Sequence, residues 1–292
     1  MNTTSEIHAA PVELQRPVVI VAAPRSGSTF LFETLTLAEG LVTIGGESHA
    51  IFEDIPKLRP GVGGLNSNRL TEVHLTPRIS ARLYRAFHQN LRDRNGQFPG
   101  SGARFLEKTP KNALRIPFLR ALFPDAQFIY LYRAPMPNIS SIMEAWRSGR
   151  FVTYRNLPEW TGNWSLALVP GWEQMRGRSL AEIASFQWQG INRQIMEDLA
   201  QMDADRWIAV DYDQLTQDTP AQIRRLCSFV GIEFDSVMAR RLSQGALPSS
   251  RYTVTAPMRE KWRSNEQALL TVAESAENTW REIVSYTRDQ AD

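Results

Sequence analysis

The stretch Val18–Leu31, VVIVAAPRSGSTFL, constrains this chain more than any other part of it. An apolar run, Val18–Ala22, breaks at Pro24 and passes through Arg25-Ser26-Gly27-Ser28-Thr29 into an amphipathic segment. That order predicts a buried strand over 18–22, a tight turn over 24–27 and a helix over 28–37. A strand-turn-helix unit of this kind aims unpaired backbone N–H groups and a positive helix end at one point, which makes an anion site. The hydroxyls of Ser26, Ser28 and Thr29 add donors, and Arg25 brings a planar guanidinium suited to phosphate oxygens. A phosphorylated ligand is the expectation.

The rest of the chain repeats the same alternation. Strand-like runs lie at 104–106, 127–132 and 207–210, and helical patterns at 28–37, 77–92, 112–122, 135–147, 179–202 and 220–230. Strands alternating with helices predict an α/β fold with a central parallel sheet covered on both faces. Ligands in such sheets bind outside the carboxyl ends of the strands. The turn at 24–29, the segment after Leu106 and the Arg133 region should therefore share one rim. Two stretches interrupt the pattern. Residues 53–68 are rich in Pro and Gly and predict a mobile loop. Residues 150–178 carry Phe151, Tyr154, Trp160, Trp164 and Trp172 without a clean period, which suggests an aromatic lid or acceptor wall, or else an ordinary packed excursion.

Composition excludes several classes. A net charge of +2 over 292 residues lacks the electrostatic footprint of a nucleic-acid binder. The single cysteine, Cys227, permits no intramolecular disulfide and reads as a small buried hydrophobe. The histidines His8, His49, His74 and His88 are scattered without ligand spacing, so no metal site is expected. The opening residues have neither a basic nor an apolar region of a signal peptide, and no apolar run reaches the ~20 residues of a membrane helix. These features suggest a cytoplasmic protein, with no membrane partner, whose residues 1–16 form a flexible lead-in and whose residues 17–292 form one domain. They say nothing of oligomeric state.

The phosphate loop GxxxxGK followed by Ser or Thr is absent, since the turn has one Gly and no Lys. Charge comes from Arg25 instead, so the ligand should carry phosphate without a triphosphate–metal clamp. A second anion element is QFIYLYRAPMPNISSIMEAW: Arg133 ends a strand, Pro135 suits the first helical turn, and Ser141 follows eight residues after Arg133. Singly, Arg133 could be a surface ion pair and Ser141 an ordinary helix hydroxyl.

Together, these motifs resemble sulfotransferases that use 3′-phosphoadenosine 5′-phosphosulfate (PAPS), over about residues 17–262. The resemblance implies a P-loop-like α/β domain in which Arg25, Ser26, Gly27, Ser28 and Thr29 hold the 5′-phosphosulfate. It implies that Arg133 and Ser141 hold the 3′-phosphate. It makes Lys108, in FLEKTP, a cation beside the transferring group. It makes Tyr212, in IAVDYDQL, a cofactor contact, with core packing as the rival reading. Leu247–Arg251 is similar to the family's C-terminal nucleotide loop, which nominates Ser249, Ser250 and Arg251.

Cytosolic phenol and steroid sulfotransferases place a histidine where this chain has Pro110. The tyrosylprotein branch instead uses a glutamate in a segment similar to Gly45-Gly46-Glu47-Ser48-His49. Glu47 is therefore the first candidate for general base and His49 the second. The base would take the acceptor's proton while Lys108, Arg25 and loop N–H groups stabilise charge on the departing phosphate; the product would be 3′-phosphoadenosine 5′-phosphate. Alternatives are a P-loop-type nucleotide kinase and a non-catalytic nucleotide-binding module. Residues 147–172 are similar to an insertion in sulfotransferases of polyketide and nonribosomal peptide assembly. The expected acceptor is thus a partly apolar hydroxyl compound, either a free small molecule or one tethered to an acyl carrier protein, in natural product biosynthesis.

Overall fold

A computed structural model describes residues 14–62, 64–100, 102–243 and 260–288. Its strands are β1 (Val18–Val21), β2 (Leu41–Val42), β3 (Arg104–Lys108), β4 (Gln127–Tyr132), the pair β5 (Val152–Tyr154) and β6 (Trp164–Ser165), and β7 (Trp207–Asp211). Its helices are α1 (Ser28–Leu35), α2 (His49–Glu53), α3 (Pro77–Asn90), α4 (Ile116–Leu122), α5 (Pro135–Arg147), α6 (Leu180–Leu199), α7 (Tyr212–Gln217), α8 (Thr219–Val230), α9 (Ser236–Ser243), α10 (Glu266–Leu270) and α11 (Ala273–Thr287). Five strands form one sheet in the order β2-β3-β1-β4-β7, and every pairing in it is parallel. No helix among the described residues is long and apolar enough to cross a membrane.

Both faces of the sheet are covered, which is why β1 and β4 read as continuous apolar runs and are buried throughout. Successive residues serve opposite cores. Val18, Ile20, Ile129 and Leu131 pack with Leu31 and Leu35 of α1 and Leu226 of α8. Val19, Val21, Phe128 and Tyr130 pack with Ile139 and Ile142 of α5 and Trp188 of α6. Cys227 is buried in the first of these cores, as its helical face predicts. The helix after β1 and the helix after β4 therefore lie on opposite faces, and a crevice opens between the carboxyl ends of these neighbouring strands. The register pairs Ile20 with Lys108, Val21 with Tyr130 and Tyr132 with Asp211. Lys108, Arg133 and Tyr212 consequently emerge on one edge.

Three expectations are corrected. Residues 53–68 are not a loose loop: a short 3₁₀ turn spans Pro56–Leu58, and Leu58 and Asn68 are buried. The helix expected over 112–122 is split into a 3₁₀ turn, Pro110–Leu114, and α4. Pro117 explains the break, because it lacks an N–H and its ring crowds the carbonyl four residues back. Of the expected lead-in only residues 14–16 are described: Leu14 is buried and the Arg16 N–H donates to Asp125 Oδ2 at 2.5 Å. Finally, most aromatics of the 150–178 insertion face inward. Trp164 is fully buried, with ring centroids 5.1, 4.8 and 5.7 Å from Trp146, Trp160 and Trp172. That cluster is a small core under the β5–β6 hairpin, as the packed-excursion reading has it. Phe151 instead lies against Arg25, and Tyr154 against Lys111.

Candidate active site

The first turn is built from two backbone conformations and one brace. Gly27 caps α1 at φ 96°, where a Cβ would be strained, and that Cβ would also stand 2.3 Å from Tyr212 Cε2. Arg25 adopts φ 67°, so its side chain is turned out of the strand line. The brace is Asn138 of α5, fully buried, which donates to Pro24 O at 2.8 Å and accepts from Ser26 Oγ at 2.6 Å. The expectation that Ser26 offers its hydroxyl to an anion is corrected here. Its Oγ is committed to Asn138 and its N–H to Ala23 O at 3.3 Å, so Ser26 shapes the turn from behind. Gly27 makes no side-chain cap, and the first turn of α1 holds no acidic residue. The free N–H groups and positive end of that helix therefore face the crevice uncompensated. Ser28 is buried there, and Thr29 Oγ1 accepts from Lys108 Nζ at 3.1 Å.

The two arginines converge. Arg133 Nη1 donates to the backbone carbonyl of Arg25 at 3.2 Å, and its guanidinium lies 4.2 Å from the centroid of the Tyr212 ring. Tyr212 thus touches both Gly27 and Arg133. Burial, followed by the neighbouring Arg133 charge, lowers the pKa of Arg25. Burial likewise lowers that of Arg133. Both Nε atoms are buried without a hydrogen-bond partner among the described residues. Neither arginine pairs with a carboxylate among them. Ser141 is half-buried on α5, two helical turns beyond Arg133, and its hydroxyl has no hydrogen-bond partner among the described residues. Two adjacent guanidinium groups that meet no carboxylate among the described residues fit a ligand bearing two anionic ends.

The third element faces them across β3. Lys108 Nζ, on a side chain 2% exposed, donates to Glu47 Oε1 at 2.5 Å. Glu47 Oε2 meets His49 Nε2 at 2.9 Å. Burial pushes the Glu47 carboxyl up, but the His49 hydrogen bond and the Lys108 charge overcome it and hold the group at about 2. Glu47 and His49, which the sequence leaves as rivals, are hydrogen-bonded partners.

Beyond this pair lies a cluster the sequence did not disclose. Lys111 Nζ donates to Glu53 Oε1 at 2.5 Å and to Tyr154 Oη at 3.1 Å, while Asn68 Nδ2 donates to the same hydroxyl at 2.6 Å. Arg115 is fully buried behind them, its guanidinium 4.7 Å from the Phe52 ring centroid. Glu53 follows His49 by one turn on α2, and Tyr154 comes from β5. Phe151 stands against Arg25, ring centroid to Cζ 5.0 Å. Asn138 also escaped the sequence reading. Its one signal is a place five residues after Arg133 and three before Ser141, on the same helical side. Ser249, Ser250 and Arg251 lie outside the described residues.

A parallel α/β sheet carrying an uncapped helix terminus, paired guanidinium groups and a lysine on one edge defines an anion-binding transferase of the P-loop-like type. The chain matches the model of the Sulfotransferase family over residues 17–236 and belongs to that family. It is therefore a PAPS-dependent transferase, and the kinase alternative is set aside. Among solved structures it is similar to sulfotransferase STF9 from Mycobacterium avium, at 15% identity over 94% of this chain and 77% of that one, TM-score 0.55. It is also similar to a sulfotransferase from Alicyclobacillus acidocaldarius, at 14% identity over 95% of this chain and 97% of that one, TM-score 0.53. At such identities the likeness is one of fold. No curated protein sequence matches the chain significantly.

Proposed function

We propose that the protein transfers the sulfuryl group of PAPS to a hydroxyl of a partly apolar acceptor, free or carrier-bound, with Glu47 as general base. The observation that carries this reading is the convergence on one sheet edge of Arg25, Arg133 and the α1 terminus with the Lys108–Glu47–His49 chain. PAPS supplies, when bound, an activated sulfuryl group on a phosphate leaving group. Arg25, Gly27, Ser28, Thr29 and the α1 N–H groups bind and orient the 5′ end; Arg133 and Ser141 bind the 3′-phosphate; Tyr212 separates the two loops. Lys108 Nζ sits between Thr29 and Glu47, so it serves either side. While it holds Oε1, the carboxylate is a weak base. When it swings wholly to the Thr29 side, Oε1 is released and its proton affinity rises. Glu47 then takes the acceptor's proton, and His49 keeps Oε2 oriented. Phe151 and Tyr154 supply an aromatic flank suited to the apolar part of an acceptor.

The test is transfer from labelled PAPS to panels of free and carrier-bound hydroxy compounds, by the wild type and Glu47→Ala. Loss of a general base lowers the rate by about 10²–10⁴-fold. We expect that loss with retained affinity for 3′-phosphoadenosine 5′-phosphate. A fully active Glu47→Ala enzyme would move the proton to His49. Nucleotide binding without turnover across both panels would leave a non-catalytic module.

A further inference from the structure

Ser48, between Glu47 and His49, is fully buried, and its N–H and hydroxyl are tied to the end of β3. Its N–H donates to Thr109 Oγ1 at 2.8 Å and its hydroxyl to Glu107 Oε1 at 2.5 Å. Thr109 Oγ1 donates to the same carboxylate oxygen at 2.7 Å, and Asn112 Nδ2 donates to Oε2 at 2.7 Å. Glu107 is 2% exposed and has no cation within ion-pair distance among the described residues. Burial raises its carboxyl above the usual range, against the pull of these three hydrogen bonds. A buried carboxyl without a counter-ion costs several kcal/mol unless its oxygens are satisfied.

The loop in front of Glu47 is also tied at Gly45, whose N–H donates to Thr43 Oγ1 at 2.9 Å. Cβ atoms placed on Gly45 or Gly46 would meet nothing within 4 Å. Successive residues of a strand point to opposite faces, so Glu107 and Lys108 diverge from one rigid strand end. Lys108 reaches Glu47 directly, and Glu107 grips the neighbouring residue. One strand thereby fixes the separation between the cation on the donor side and the carboxylate on the acceptor side.

We infer that Glu107, acting through Ser48 and Thr109, is a positioning residue that sets Glu47 and His49 against Lys108. The inference deepens the proposed function, since it matters to turnover only if Glu47 handles the proton. A misplacement of about 1 Å at a reacting group costs on the order of 10²-fold in rate.

The experiment reads Glu47 directly. Its carboxyl is titrated by carbon-13 NMR in the full-length wild type, Ser48→Ala, Thr109→Val and Thr109→Ser, with Glu47→Gln used for assignment. Glu47 faces Lys108 and His49, with Arg25 and Lys111 further off, and these groups are unaltered in every variant. From about 2 in the wild type, Glu47 should titrate about one unit higher in Ser48→Ala and Thr109→Val, a tenfold gain in proton affinity. Thr109→Ser, which keeps the hydroxyl, should restore the wild-type titration. Affinity for 3′-phosphoadenosine 5′-phosphate, measured by calorimetry, should not change. Glu107→Gln is the sharper variant, but the Ser48 and Thr109 changes decide the matter even if it fails to fold. A wild-type Glu47 titration in folded Ser48→Ala and Thr109→Val overturns the inference. Full transfer activity in Glu47→Ala removes the base assignment alone and leaves the titration to judge positioning.

Discussion

Replacing Gly27 by alanine probes the contact on which the two anion loops depend. At φ 96° the backbone lies where an L side chain is disfavoured by roughly 1–2 kcal/mol. The new methyl would stand 2.3 and 2.5 Å from two carbons of the Tyr212 ring, closer than packed atoms come. That ring cannot retreat freely, because its other neighbour is the Arg133 guanidinium at 4.2 Å. Forcing a methyl into a filled space costs about 1–3 kcal/mol more. The sum is about 2–5 kcal/mol, and at roughly 2–4 °C per kcal/mol the melting temperature should fall by about 4–20 °C. Affinity for 3′-phosphoadenosine 5′-phosphate should fall as well, since turn and Arg133 are displaced together. Scanning fluorimetry reads the first effect and titration calorimetry the second. Adding Tyr212→Ala to Gly27→Ala should recover the steric part but not the backbone part. Wild-type melting temperature and affinity in Gly27→Ala would refute the account of this contact.

Three further outcomes are expected. Arg133→Ala should weaken binding of 3′-phosphoadenosine 5′-phosphate by about 10–150-fold, the equivalent of a charge-assisted hydrogen bond worth about 1.5–3 kcal/mol; unchanged calorimetric affinity contradicts the assignment. Asn138→Ala leaves the Pro24 carbonyl and the Ser26 hydroxyl buried without partners, at about 1–3 kcal/mol each, so denaturant melts should show a loss of about 2–6 kcal/mol and the same change should weaken nucleotide binding. Glu47 has its carboxyl lowered from 4.5 to about 2, so its contribution is present above the unfolded value and lost as pH falls through the folded one. That contribution is about 3 kcal/mol, and the fall in stability between pH ~5 and ~2 should be shallower in Glu47→Gln than in the wild type; parallel acid-unfolding curves would show that the ion pair holds no such energy.

What could be read along the chain was whatever depends on neighbours in sequence. The apolar runs at 18–22 and 127–132, the turn residues at 24–29, and Pro135 after Arg133 all act through local backbone preference, and the elements fall where those preferences place them. Glu47 and Lys108 were nominated only through resemblance, and neither Lys111 nor Asn138 was nominated at all. Asn138 looks like any helix-surface amide until α5 packs against the first turn. The aromatic insertion misled for a related reason: three tryptophans suit a lid or a small core equally well, and only packing decides between them.

By itself, then, the order of residues determined a parallel α/β sheet, an anion turn after its first strand and an arginine after its fourth. The tertiary structure alone decided that Glu47 faces both Lys108 and His49, that Ser26 turns inward to Asn138, and that Tyr212 closes on Gly27. Each of these is a contact between segments far apart in sequence, and its geometry is set by strand register and helix packing, which no local pattern records.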